Sequence, residues 1–225
     1  MKKVFFTALI FILILSFGSA AAEGGMPEPG TSAVLERGGY YGIGADIPEG
    51  SYTLSCIDRD DSDDWYSACD VLLTSYEFLQ YSEETGLHVD FPEGDEGYGA
   101  VRFYLRNGMI MRIRYSDVMI TAAEPMTDGV LEARGYYGIG YDIPEGNYEL
   151  SCIQDGDDDW EDICQISILT NDSFIDREFS FDMYVDSYEE DGTSHPTRMF
   201  LKAGTILHVW GNPVRITEAE PVVFK

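Results

Sequence analysis

Lysine is almost absent from this chain. Four occur in 225 residues, and two of them, Lys2 and Lys3, stand at the N-terminus; the others are Lys202 and Lys225. Arginine does not make up the difference, because Lys and Arg together number 14 against 41 Asp and Glu, for a formal net charge of −27. Nucleic acid and anionic membrane surfaces need clustered cations, so this balance argues against both as partners. Hydrophobic residues make up 44% of the chain, too many for a disordered polyelectrolyte. The acidity fits a solvated, soluble surface and leaves room for cation binding.

Long apolar runs are also missing, with one exception. Val4 to Phe17, broken by Thr7 and Ser16, follows Lys2 and Lys3. That run falls short of the roughly 20 apolar residues a membrane span needs. Gly18-Ser19-Ala20-Ala21-Ala22 comes next, and Ala20-Ala21-Ala22 fits the small-x-small cleavage rule. Residues 1–22 therefore read as a cleaved signal peptide and residues 23–30 as a flexible lead-in. An uncleaved anchor is the alternative. No Cys lies near the cleavage region, which excludes a lipid attached to a new N-terminal cysteine. The expectation is a secreted protein with no membrane insertion after cleavage.

Catalytic signatures are lacking as well. There is no Gly-x-Ser-x-Gly elbow, phosphate-binding loop, His-Glu-x-x-His or dinucleotide-binding glycine pattern. The three histidines are His88, His195 and His208. The internal repeat described next sets His88 opposite Tyr184 and His208 opposite Arg112, so neither belongs to a site shared by the halves. The expectation is a protein that is not an enzyme. A carboxylate pair for glycoside hydrolysis is the alternative among so many acids.

What the chain does have is a copy of itself at a spacing of 96 residues. Gly39-Tyr40-Tyr41-Gly42-Ile43-Gly44 recurs as Gly135-Tyr136-Tyr137-Gly138-Ile139-Gly140, and Asp46-Ile47-Pro48-Glu49-Gly50 as Asp142-Ile143-Pro144-Glu145-Gly146. Val34-Leu35-Glu36 answers Val130-Leu131-Glu132, and Ile120-Thr121 answers Ile216-Thr217. A period this long is a duplicated domain and not a solenoid unit. The boundaries fall at 31–126 and 127–225.

Inside each copy the apolar period is two. Tyr52, Leu54 and Cys56 alternate with Ser51, Thr53 and Ser55; Tyr148, Leu150 and Cys152 do the same. Val101, Phe103 and Leu105 alternate with Arg102, Tyr104 and Arg106, and Val118 and Ile120 flank Met119. Ile-Pro-Glu-Gly and Asn107-Gly108 supply turns, Pro fixing φ and Gly tolerating left-handed backbone. The pattern predicts an all-β protein of two tandem small antiparallel β-sandwiches, jelly-roll-like. Arg102 and Tyr104 point outward, as do their copies Arg198 and Phe200. They read as a binding face or as the contact between the halves.

The phrase Gly-Tyr-Tyr-Gly-Ile-Gly-x-Asp-Ile-Pro-Glu-Gly-x-Tyr resembles a motif of uncharacterised bacterial surface and secreted proteins, Tyr-x-Val-Gly-x-Asp-Ile-Pro-Ala-Gly-x-Tyr. Here Ile43 and Ile139 stand in the Val place, and Glu49 and Glu145 in the Ala place. The resemblance covers under a fifth of each copy. It implies an extracellular all-β domain and carries over no functional residues.

Each copy holds two cysteines, Cys56 and Cys69 in the first and Cys152 and Cys164 in the second. Export predicts disulfides, and the repeat predicts local pairing, Cys56–Cys69 and Cys152–Cys164. Each bridge closes a short loop and is worth roughly 3 kcal/mol on the chain-entropy account. The loops so closed are acidic: Asp58-Arg59-Asp60-Asp61-Ser62-Asp63-Asp64-Trp65, and Gln154-Asp155-Gly156-Asp157-Asp158-Asp159-Trp160. Two readings stand. Asp61, Asp63, Asp157 and Asp159 are candidate Ca²⁺ ligands, since crowded carboxylates suit a hard cation. Otherwise these are solvated hairpins whose Trp65 and Trp160 pack on the disulfides. Trp65, Trp160, Tyr104 and Phe200 are candidate ligand-binding residues, aromatic faces beside acids being suited to sugars. The functional expectation is a secreted non-catalytic binding module for a carbohydrate or an extracellular protein, with Ca²⁺ optional. The alternative is a structural or interaction protein of the cell surface with no small ligand.

Overall fold

The structure is a computed structural model, and it describes residues 27–57, 69–75, 86–89, 91, 93–94, 97–153, 164–170, 181–185, 187–188 and 194–220. The signal-peptide segment 1–22 lies outside the described residues. So do Asp61, Asp63, Trp65, Asp157, Asp159 and Trp160.

The protein is all-β, with no helix among the described residues. The first half contributes β1 (Ser32–Leu35), β2 (Tyr40–Gly42), β3 (Gly50–Cys56), β4 (Val71–Ser75), β5 (Leu87–Val89), β6 (Glu93–Gly94), β7 (Gly97–Tyr98), β8 (Val101–Leu105), β9 (Met109–Ile113) and β10 (Val118–Ala122). The second contributes β11 (Val130–Leu131), β12 (Tyr136–Gly138), β13 (Gly146–Cys152), β14 (Cys164–Leu169), β15 (Phe181–Tyr184), β16 (Ser187–Tyr188), β17 (Ser194–His195), β18 (Thr197–Leu201), β19 (Ile206–Gly211) and β20 (Val214–Glu218). The halves match strand for strand, β1 with β11 through β10 with β20.

Each half lays down two kinds of four-stranded layer. In the first half the layers are β1-β10-β3-β8 and β2-β9-β4-β5; their counterparts are β11-β20-β13-β18 and β12-β19-β14-β15. Period-2 patterning explains why the layers face each other. Leu54, Val101, Phe103, Leu105 and Ile120 from one layer share a buried cluster with Val71, Leu73, Met111 and Ile113 from the other. Leu150, Leu201, Val214, Ile166, Leu207 and Val209 do the same in the second half. Apolar burial of this kind is worth about 1.5–3 kcal/mol for each large side chain enclosed.

The repeating phrase builds a turn. The backbone N–H of Gly42 donates to the Asp46 carboxylate at 2.7 Å, and that of Gly138 donates to Asp142 at 2.8 Å. Between them Gly44 and Gly140 hold φ near +93° and +91°, where a side chain would be strained. Ile43 bridges Ile47, Ile139 bridges Ile143, and all four are buried. The Tyr52 and Tyr148 hydroxyls then donate to the carbonyls of Pro48 and Pro144 at 2.7 and 2.9 Å. Most of the phrase is therefore accounted for by the fold.

The halves are not separate bodies joined by a linker. β8 pairs in parallel with β12, Phe103 opposite Tyr136, and the two layers merge into one eight-stranded sheet, β1-β10-β3-β8-β12-β19-β14-β15. Tyr136, Leu169 and Ile206 accordingly join the core of the first half. Both cystines are present, Cys56–Cys69 and Cys152–Cys164, with Cα atoms 5.9 and 5.6 Å apart. They fit an oxidising, extracellular compartment. No helix among the described residues is long and apolar enough to cross a membrane.

Candidate functional site

The seam between the halves is where the two copies of the repeat stop being equivalent. Tyr104 on β8 is only 7% exposed and belongs to the buried cluster of the first half. Its ring lies over Gly138 of β12, so close that a Cβ there would come within 2.6 Å of the ring carbons. Its hydroxyl donates to the Glu49 carboxylate. Burial, and then the Glu49 carboxylate that accepts its proton, hold the phenol well above its ordinary range. Tyr141 follows, its ring centroid 5.0 Å from that of Tyr104.

The polar centre of the seam is Asp142. One carboxylate takes the turn N–H of Gly138, the hydroxyl of Ser51 at 2.6 Å and the Arg102 guanidinium at 2.8 Å. Its side chain is 2% exposed and that of Arg102 14%. Arg102 Nη1 also donates to the carbonyl of Glu124, and its guanidinium stands 5.7 Å above the Tyr137 ring. Its Nε is buried with no hydrogen-bond partner among the described residues. A second strut lies nearby, where Arg106 donates to the Gly204 carbonyl at 3.1 Å.

Deeper in the seam runs a file of rings. Phe103 stacks on Tyr136 at 4.2 Å, Tyr136 on His208 at 3.8 Å with planes within 7°, and Trp210 meets His208 edge-on at 4.2 Å. Burial, aided by the Arg134 charge, pushes the His208 imidazole down to about 3. It is a neutral ring near pH 7.

Above the Arg102–Asp142 pair the seam opens into a cavity of about 630 Å³. Ser51, Arg102, Tyr141 and Asp142 give it a polar floor, and Ala123 and Met126 an apolar wall. The lead-in at 27–29 closes one side. Burial and the Asp142 carboxylate raise the Tyr141 phenol above its ordinary range, so it remains a neutral hydroxyl. Such a pocket offers hydrogen-bond donors and acceptors beside a tyrosine ring and an aliphatic face, at the junction of two halves, where ligand sites are commonly found.

The structure brings some sequence candidates together and separates others. Of the residues expected to face outward, Arg102 and Tyr104 make the contact between the halves. Their copies Arg198 and Phe200 face solvent, Phe200 being 57% exposed. Tyr136 and Tyr137 are wholly buried on β12, which lies between β8 and β19, while Tyr40 on β2 is 47% exposed. The Asp and Trp candidates of the acidic loops lie outside the described residues. Among the described residues no group of three or more His, Cys, Asp or Glu side chains is placed to hold a metal ion. Sequence reading missed Ser51 and Tyr141 as partners in the seam. The signal was available: Ser51/Asn147 and Ala45/Tyr141 are two of the few differences between otherwise matching stretches. Comparison of the chain with family models, with curated proteins and with solved structures finds no match.

Proposed function

We propose that this protein is an exported, non-catalytic binding module that holds a carbohydrate ligand in the cleft between its halves. The observation that carries the reading is the 630 Å³ cavity over the Arg102–Asp142 pair. Its volume lies in the range of small-molecule sites. The Tyr141 ring offers a surface on which an apolar sugar face can stack, and the Tyr141 and Ser51 hydroxyls and the Arg102 guanidinium offer partners for sugar hydroxyls. Asp142 is already engaged by three donors, so it serves to orient Arg102 and Ser51. The signal-like N-terminus and the two cystines support export.

A glycan array probed with the purified protein, followed by calorimetry on the best hit, tests this directly. Binding that weakens at least tenfold in Tyr141→Ala is the expected result. A second reading, an extracellular interaction protein without a small ligand, is favoured by the exposed rings of Phe200 and Tyr40. A blank array points to it.

A further inference from the structure

The seam between the halves is asymmetric, and its asymmetry leaves two surfaces over. Within the chain, β8 of the first half receives β12 of the second. The copy of β8 is β18, which ends its layer with β13 on one side only among the described residues; the copy of β12 is β2, which ends its layer with β9 on one side only. Duplication has written the donor and the acceptor of the seam twice and used each once. We propose that the free β18 edge of one molecule takes the free β2 edge of a second copy, repeating the internal seam between molecules and assembling the protein head to tail.

Most of the seam contacts have a counterpart on the open edges, the exceptions being Ala45 in the place of Tyr141 and Phe200 without the Tyr104 hydroxyl. Arg102 grips Asp142 inside the chain; Arg198 and Asp46 stand at the same places on the two open edges. Arg198 reaches its own neighbour Glu149 only at 3.9 Å, with 39% of its side chain exposed, and Asp46 is exposed. Ser51 donates to Asp142, and Asn147 offers an amide donor in its place. Arg106 donates to the Gly204 carbonyl, and Lys202 and Gly108 occupy the matching positions. Tyr104 lies over Gly138, and Phe200 has Gly42 as its equivalent partner. At Gly42 the space a ring would fill is open, since a Cβ there meets nothing nearer than 3.4 Å, and that neighbour is its own Asp46. Phe200 and Tyr40, at 57% and 47%, are among the most exposed large hydrophobic side chains, while their counterparts Tyr104 and Tyr136 are buried. An unpaired strand edge carrying exposed rings is a ready template for another chain. Because the two edges differ, the contact is heterologous and yields rings or open chains, not two-fold dimers.

Sedimentation velocity on the protein, produced by export so that both cystines form, is the test, run at rising concentration up to about 1 mM. The weight-average mass should climb past that of a dimer. Arg198→Asp and Asp46→Arg should each return it to the monomer, because each sets like charges against one another. An equimolar mixture of the two should restore association, since every edge then meets an opposite charge. Phe200→Ser, which removes an exposed ring and leaves the fold intact, should weaken association at least tenfold. A wild-type protein that stays monomeric, one that stops at a dimer, single variants that associate as before, or a mixture that fails to recover would overturn the proposal.

Discussion

Arg102 of the first half and Asp142 of the second meet at 2.8 Å with both side chains almost wholly enclosed. The pair fixes where the halves touch, floors the cavity above it, and exists in this form once, although the chain writes both residue types twice. Asp46 makes the same turn contact as Asp142, to Gly42, but stands exposed and without a guanidinium among the described residues.

That difference predicts unequal costs. Asp142→Ala leaves the Arg102 charge buried without its partner, which costs roughly 3–5 kcal/mol. Asp46→Ala removes one hydrogen bond at an exposed turn, about 1 kcal/mol. Urea unfolding of the two variants reads the gap, and equal losses would contradict the seam.

Gly138 and Gly42 make a second matched pair. A Cβ at 138 would press into the Tyr104 ring at 2.6 Å, whereas at 42 it meets only its own turn at 3.4 Å. Gly138→Ala is expected to destabilise by about 1–3 kcal/mol through overpacking. Gly42→Ala should leave dilute protein within about 0.5 kcal/mol of wild type, a change that thermal melts resolve.

His208 makes the stability depend on acid. Its folded value near 3 lies below the ordinary 6.5 because it is buried, with the Arg134 charge adding to the effect. Above pH 6.5 neither folded nor unfolded chain holds the proton, and the full contribution is present. As the pH falls below 6.5 the unfolded chain takes up a proton that the folded one refuses, so stability drops until His208 itself protonates near 3. Between pH 7 and pH 5 the loss attributable to this residue is about 2 kcal/mol. His208→Phe keeps the stack on Tyr136 and should remove that part of the slope. Denaturant titrations of both proteins across this range check it, and parallel slopes would refute it.

Much of the fold was legible because it is local. Period-2 runs such as Val101-Arg102-Phe103-Tyr104-Leu105, the Ile-Pro-Glu-Gly turns and the spacing of the cysteines each act within one copy, and the duplication let each copy check the other. The strands at Val71–Ser75 and Leu87–Val89 were not read, because the first opens on three apolar residues in a row without alternation and the second is three residues long. The seam was legible only as a choice. Val-Arg-Phe-Tyr-Leu and Thr-Arg-Met-Phe-Leu carry the same outward pattern, so nothing within either strand says which one another layer will cover. The residues that meet the covered strand, among them Ser51, Tyr141 and Asp142, lie far from it along the chain. The cavity follows from the seam and was invisible for the same reason.

The cleft between the halves is the centre of the account, and filling it is the sharpest test. Ala123→Trp places an indole in the cavity wall while leaving intact the backbone bond from Ala123 N–H to the Ser51 carbonyl. Calorimetry with the oligosaccharide selected by the array should show binding to wild type and none to Ala123→Trp, the two melting alike. Undiminished binding to the filled variant would place the ligand elsewhere and contradict the assignment.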